Sequence, residues 1–324
     1  MTNVQRIPPN LFGIPFGLAG LAGAWSAMAA VGHAPEIVGT VLMLTAALAW
    51  LTVGFLYLRS AMRRRALVDE LTDPVTAPFI SLALVVPMIL GAGLVHPRSP
   101  GLGIAVVDVS IAAAIALGGW FIGQWVYADL SVDSLHPGYY LPTVAGGLVA
   151  SASAAHVGQP TLAMATFGLG LVCWMILGSL TLGRLLFRPA LPTPLIPTLA
   201  IEVAPPAVAS LAWFAMNGGR IDTMATILAG YGALMVVVQI RLLPVFARLP
   251  FMPSTWAFTF SWAAVASTII QWLHVKGSGP GAAVAQYLAL AAITLLIGGI
   301  AIKTITRVAA GKFLPAAPVP AEQN

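Results

Sequence analysis

The chain has 324 residues, of which 59% are hydrophobic and 8% are charged. This composition indicates an integral membrane protein and leaves no segment large enough for a soluble catalytic domain, so an enzyme is not expected. The formal net charge is +5, but it does not call for a nucleic-acid partner, because most basic residues flank apolar segments on one side, as membrane orientation alone would require.

Ten apolar segments follow one another along the chain, each of about 20 residues and therefore long enough to cross a bilayer as a helix. Most connections between them are short, which makes consecutive helices antiparallel neighbours. The sequence therefore predicts an all-α membrane protein in which five helical hairpins form a quasi-five-fold ring. The segments are residues 11–31, 37–58, 75–95, 104–128, 138–155, 161–183, 194–214, 221–240, 254–273 and 284–302.

Internal prolines are confined to odd-numbered segments, where they occur as Pro15, Pro87, Pro142 and the pair Pro205-Pro206. Proline removes a backbone donor and displaces the carbonyl four residues earlier, and hydrocarbon cannot satisfy the freed group. We therefore expect the odd helices to be kinked and to form an inner, cavity-lining layer, and the even helices to form a lipid-facing shell. The alternative is that these prolines only reflect the general abundance of proline in membrane helices.

The basic residues are distributed unequally between the two sides of these helices. Of the 15 lysines and arginines, all but Arg98, Arg220 and Lys276 lie on one side. The positive-inside rule then predicts a multi-pass protein of the plasma (inner) membrane with both termini in the cytoplasm. Residues 1–10 would be a cytoplasmic segment and residues 11–303 the transmembrane domain. Residues 304–324 would be a cytoplasmic tail, and its prolines and alanines predict disorder.

Few polar side chains fall inside the predicted spans. Cys173 and the histidines show no spacing typical of a metal site or a catalytic centre, so we expect no metal and no cofactor. Asp108 lies near the start of its span and is expected to reach the outer interface. Glu202 lies near the middle of the seventh span, where an ionisable group is a candidate proton or polar site. The alternative for Glu202 is a protonated carboxyl that is bonded to backbone or to a neighbouring helix.

Four stretches carry a resemblance to a known family: LFGIPFGLAGLAGAW at 11–25, HPGYYLPTVAGGLVAS at 136–151, DTMATILAGYGALMVVVQIRLLP at 222–244 and WAFTFSWAAVAS at 256–267. In this order they resemble the bacterial tellurite-resistance/C4-dicarboxylate transporter family, which is related to the slow-type anion channels of plant guard cells. The resemblance implies a homotrimer in the lipid bilayer, with a separate pore in each protomer lined by the five odd helices. It further implies a phenylalanine gate at mid-membrane, at the position of Phe260. The ninth span departs from the family pattern, because Ser261 stands where plant relatives carry proline.

Candidate pore-lining residues follow from the inner-layer argument together with this resemblance. No basic residue lies within an odd span, so selectivity for anions would depend on freed backbone donors, on hydroxyls and on positive potential near the mouths. Glycines in these spans either keep the bore open or allow close helix packing. The candidates are Gly13, Pro15, Gly17, Pro87, Gly91, Pro142, Thr143, Gly146, Pro205 and Phe260.

Two functions remain open from the sequence. The first is a gated anion channel that passes small monovalent anions, with small inorganic or organic anions as its partners, and is occluded by Phe260. The alternative is a proton-coupled carrier of C4-dicarboxylates, tellurite or other oxyanions, with Glu202 as the proton site. Ohmic currents without a proton gradient favour the first, and saturable transport that needs a pH gradient favours the second.

Overall fold

The computed structural model describes residues 6–64, 67–277 and 279–314. Over these residues the regular structure is entirely helical, and eight helical segments are long and apolar enough to cross a membrane. The chain is therefore a multi-pass membrane protein. The α-helices are α1 Gly13–Ala30, α2 Glu36–Arg64, α3 Leu67–Thr72, α4 Leu82–Leu90, α5 Pro100–Tyr127, α6 Gly146–His156, α7 Pro160–Phe187, α8 Ala204–Asn217, α9 Thr223–Phe246, α10 Ala257–Lys276 and α11 Pro280–Ala309.

The fifth and ninth predicted spans are helical, but they are not among the eight segments that are long and apolar enough to cross a membrane. The fifth consists of a 3₁₀ turn at Pro137–Tyr140, a π turn at Leu141–Ala145 and α6, and it carries glycines, serines and tyrosines that lower its hydropathy. The ninth consists of a 3₁₀ turn at Pro253–Trp256 and α10, with serine and threonine along its length. Both are packed among other helices, so they do not need the apolar surface that contact with lipid requires.

The long helices divide into two groups by burial. In the first, third and seventh spans, 50–67% of the residues in the most apolar 18-residue stretch are buried. In α2, α5, α7, α9 and α11 the buried share of the corresponding stretch is only 17–33%. Each of these exposed helices packs on the helix before it, and α1, α4, α6, α8 and α10 contact one another in cyclic order. The buried spans carry Pro15, Pro87 and the pair Pro205-Pro206, but the division by proline is not complete, because Pro244 lies inside the exposed helix α9 near its end.

A 3₁₀ segment precedes each of the five inner helices. These segments also contact one another in the same cyclic order, so the five inner helices begin at the same end of the molecule. Each segment contains proline, which is favoured at helix starts because its fixed φ suits the first turn. The segments are Pro9–Phe12, Ala77–Ser81, Pro137–Tyr140, Thr193–Val203 and Pro253–Trp256.

The carbonyl displaced by Pro87 is satisfied within the protein. Pro87 lies inside α4, just before a π turn at Gly91–Val95. The carbonyl of Ala83, four residues before Pro87, accepts a hydrogen bond of 2.9 Å from the indole of Trp50 on α2. An outer helix therefore supplies the donor that the inner helix lacks, as a membrane interior requires.

Several helices end beyond the predicted boundaries, for example α2 at Arg64 where the sequence predicts 58. The last helix continues to Ala309, so residues 304–309, which the sequence places in a disordered tail, are helical. Phe313, beyond that helix, is buried and lies 6.4 Å from the ring of Phe251. The remainder of the predicted termini, residues 1–5 and 315–324, lies outside the described residues. The eighth span continues past 240 to Phe246 and includes Pro244.

Candidate functional site

A cavity of about 50 Å³ lies between the inner helices, and every residue that lines it is uncharged. One water molecule needs about 10–15 Å³ of such volume, so the cavity has room for only a few. The lining comes from all five odd spans and includes Phe79, Leu148 and Val208. The polar exceptions are few, and among them Asn10 and Ser254 each have a buried side-chain oxygen without a hydrogen-bond partner.

Two aromatic rings face each other beside this cavity. Phe260 of α10 and Phe16 of α1 both line it, and their rings are stacked with centroids 3.6 Å apart and planes inclined by 14°. A Cβ added at Gly20 of α1 would lie 2.9 Å from Cδ2 of Phe260, so this glycine lets the two helices approach closely. The stacked rings narrow the space between α1 and α10 and offer no group that could replace the hydration of an ion.

The structure separates the predicted lining residues into three groups. Gly13, Pro205 and Phe260 line the central cavity. Pro142, Thr143 and Gly146 line a different cavity, of about 270 Å³, between α5 and α7. Pro15, Gly17, Pro87 and Gly91 line neither cavity.

Two glycines of the last group lie at helix contacts. A Cβ added at Gly17 would overlap the side chain of Thr259 on α10, and one added at Gly91 would lie 2.9 Å from Val106 on α5. The absence of a side chain is therefore used for close packing at both positions, which is the second of the two roles considered for these glycines.

Glu202 is not among the residues that line the central cavity. Its two carboxyl oxygens accept hydrogen bonds of 3.0 and 3.1 Å from the hydroxyl of Tyr140, which belongs to the neighbouring inner span. Tyr140 itself lines the cavity. This geometry corresponds to the alternative stated for Glu202, a carboxyl bonded to a neighbouring helix.

His136 lies just before the fifth span, with none of its side chain exposed. Its Nε2 lies 3.0 Å from the carbonyl oxygen of Val75, and its Nδ1 accepts from the backbone N–H of Gly138 at 3.1 Å. The Nε2-protonated neutral imidazole satisfies both contacts. Burial lowers the pKa of His136 to about 4. Its ring stacks on Phe79 at 5.8 Å, so this histidine borders the cavity wall.

Sequence reasoning did not identify Phe16 or Tyr140 as site residues. Phe16 follows Pro15 in a span otherwise rich in glycine and alanine, and an aromatic side chain there was a signal that could have been used. Tyr140 gave no comparable signal, because its importance depends on contact with Glu202, 62 residues away. Among the described residues, no group of three or more His, Cys, Asp or Glu side chains could hold a metal ion.

The fold and this cavity define a helical multi-pass membrane protein with an uncharged space between its inner helices. Residues 6–305 match the family model of SLAC1, the voltage-dependent anion channel, and the chain belongs to that family. The resemblance deduced from the four sequence stretches is thereby confirmed.

Similar proteins include a bacterial one of nearly the same length. The tellurite resistance protein TehA homolog of Haemophilus influenzae is 28% identical over 97% of this chain and 94% of its own length. Two plant proteins from Arabidopsis thaliana are also similar. The S-type anion channel SLAH2 is 25% identical over 82% of this chain, and the guard cell S-type anion channel SLAC1 is 24% identical over 87%. The chain spans only about half of these plant relatives, 53% and 52% of their lengths.

Proposed function

We propose that this protein is a gated anion channel in which Phe260, stacked on Phe16, occludes a pore within each protomer. The observation that carries the proposal is the position of this stack beside a cavity lined by all five odd spans. The family and its plant relatives, which are named as anion channels, support anions as the transported species. The permeant ions we infer are small inorganic or organic monovalent anions.

The architecture we infer is a quasi-five-fold ring of ten spans, with α1, α4, α6, α8 and α10 inside. The cyclic contacts among these helices and among the 3₁₀ segments before them support the ring. We infer a homotrimer in the inner membrane, with both termini in the cytoplasm. The family resemblance supports the trimer, and the unequal distribution of basic residues supports the orientation.

Selectivity for anions can arise without a basic residue in the pore. Because the five inner helices begin at one end of the molecule, the positive ends of their dipoles face the same mouth. The Ser254 hydroxyl, which is buried at that end without a hydrogen-bond partner, can donate to an anion. A dipole-lined mouth favours monovalent anions of low hydration energy, since it provides no full charge to offset the loss of a tight hydration shell.

The decisive experiment for this function is electrical. Purified protein in a planar bilayer should carry anion current that is ohmic, that needs no pH gradient and that follows replacement of one anion by another. Flux that saturates and requires a proton gradient would contradict the channel and favour a coupled carrier.

The second candidate is a proton-coupled oxyanion or C4-dicarboxylate carrier, and the observation in its favour is the tellurite-resistance name of the bacterial relative. It would use Glu202 as the proton site. The bond between Glu202 and Tyr140, and the absence of Glu202 from the cavity lining, weigh against that role. We expect Glu202→Gln to leave the pH dependence of transport between about pH 5 and 8 unchanged. A changed pH profile in this variant would support the carrier.

A further inference from the structure

A groove runs along the outer side of the protein between α5 and α7. It consists of two adjoining cavities, of about 490 Å³ and about 270 Å³, which share Ile111 and Ile115 of α5 in their walls. The groove follows α5 from Asp108 to Ile122, a distance of about 21 Å at the helical rise of 1.5 Å per residue. Apart from its polar end and from Thr143, Thr166 and Cys173, the lining is aliphatic or glycine, with Gly119 and Gly146 in the narrower part.

The polar end of the groove contains two buried acceptors that the protein does not satisfy. Gln159 Nε2 donates to Asp108 Oδ2 at 3.1 Å. Asp108 Oδ1 and Gln159 Oε1 are buried without a hydrogen-bond partner, and both residues line the wider cavity. Within the narrower cavity, Thr143 is 7% exposed and its hydroxyl also has no partner. Buried acceptors of this kind are destabilising unless a bound group donates to them.

We propose that this groove binds a phospholipid with a primary ammonium headgroup, of the phosphatidylethanolamine type. The ammonium would donate to Asp108 Oδ1 and Gln159 Oε1 and would also place a positive charge beside the Asp108 carboxylate. One acyl chain would lie along Ile115, Gly119 and Ile122, which line the groove and are exposed. The charge at one end and the apolar length beyond it match the two parts of such a lipid.

The test compares two lipids that differ only at the headgroup nitrogen. Native mass spectrometry of the full-length protein is performed with phosphatidylethanolamine and with phosphatidylcholine of identical acyl chains, because the methylated nitrogen of the second lipid has no N–H to donate. We expect the parent to retain phosphatidylethanolamine about tenfold more strongly, the effect of one charge-assisted hydrogen bond. Equal retention of the two lipids would overturn the proposal.

Three variants locate the site. Asp108→Ala, which removes both the charge and the acceptor, should reduce the preference, whereas Asp129→Ala, at an exposed residue beyond the other end of α5, should preserve it. Gly119→Leu should weaken the retention of both lipids by filling the groove, and the fold should tolerate it, because nothing lies within 4 Å of a Cβ added there. A preference that Asp108→Ala leaves unchanged, or cross-linking that shows a second copy of the chain seated in the groove, would also refute the assignment.

Discussion

Truncation of Phe260 tests whether the aromatic stack is the barrier to ion flow. The two ring centroids are 3.6 Å apart, so no water molecule fits between the rings. An anion that passes them loses hydration that no side chain replaces. Leaving even one hydrogen bond unmade costs about 1–3 kcal/mol, which corresponds to about 5- to 150-fold in rate at 1.4 kcal/mol per decade. We therefore expect Phe260→Ala to raise the anion conductance by a factor within that range.

The assay is the planar-bilayer current at matched protein density, and the control is Phe258→Ala. Phe258 lies on the same helix, but its ring packs edge-on against Phe246 of α9 at 4.8 Å, away from the cavity. Its truncation should reduce stability, as large-to-small changes in packed regions do, and leave the conductance at the parental level. Phe16→Ala should resemble Phe260→Ala, and the double variant should add little, because both rings belong to one constriction.

Three results would refute this account. Parental currents from correctly assembled Phe260→Ala protein would show that the ring does not limit conduction. A larger current from Phe258→Ala than from Phe260→Ala would show that the wrong face of α10 had been assigned to the pore. Fully additive effects of Phe16→Ala and Phe260→Ala would show that the two rings act as separate barriers.

Three further predictions concern stability and can be measured as thermal midpoints of the purified protein. Gly17→Ala should lower the midpoint, because overpacking against α10 typically costs about 1–3 kcal/mol, whereas Gly23→Ala, with open space at its Cβ, should not. Trp50→Phe should cost about 1–3 kcal/mol by removing the donor to the carbonyl freed in the third span, whereas the same change at exposed Trp120 should cost little. Because the pKa of His136 falls from 6.5 to about 4 on folding, the unfolded state takes up its proton first, and stability present above pH 6.5 is lost as the pH falls toward 4. The loss should be about 2 kcal/mol at pH 5, and it should be much smaller in His136→Gln; a parental midpoint that is constant from pH 7 to pH 5 would contradict it.

The burial of individual spans could be read from the prolines because a backbone defect in a membrane has few places to be satisfied. The third span shows the reason, since the carbonyl displaced by Pro87 accepts a hydrogen bond from Trp50 of the preceding outer helix, α2. A second proline pattern was available in the sequence and was not used. Proline begins or nearly begins the 3₁₀ segment before every inner helix, including the ninth span, which has no internal proline.

The prolines did not predict which face of each inner helix lines the central cavity. Gly13 and Gly17 are one turn apart on the same helix, yet Gly13 lines the cavity and Gly17 packs against α10. Both roles need the same small residue, so composition does not distinguish them. The choice depends on how close α1 and α10 approach, and that contact joins segments at opposite ends of the chain. The pairing of Phe16 with Phe260 was hidden for the same reason.

The position of Glu202 agrees with the electrostatics of the anion path that we propose. Two like charges 4 Å apart repel by about 4 kcal/mol at an effective dielectric constant of 20, which is about a thousandfold in rate. An ionised carboxylate on the cavity wall would therefore block the passage of anions. Anions would then pass only at acid pH, where the carboxyl group is protonated and neutral. Neither consequence arises for Glu202 in this position, because Glu202 lies off the cavity lining and accepts from the hydroxyl of Tyr140, a residue that lines the cavity. We therefore expect Glu202→Gln to have only a small effect on the pH dependence of transport. A large effect would require the carboxyl group to enter the pore.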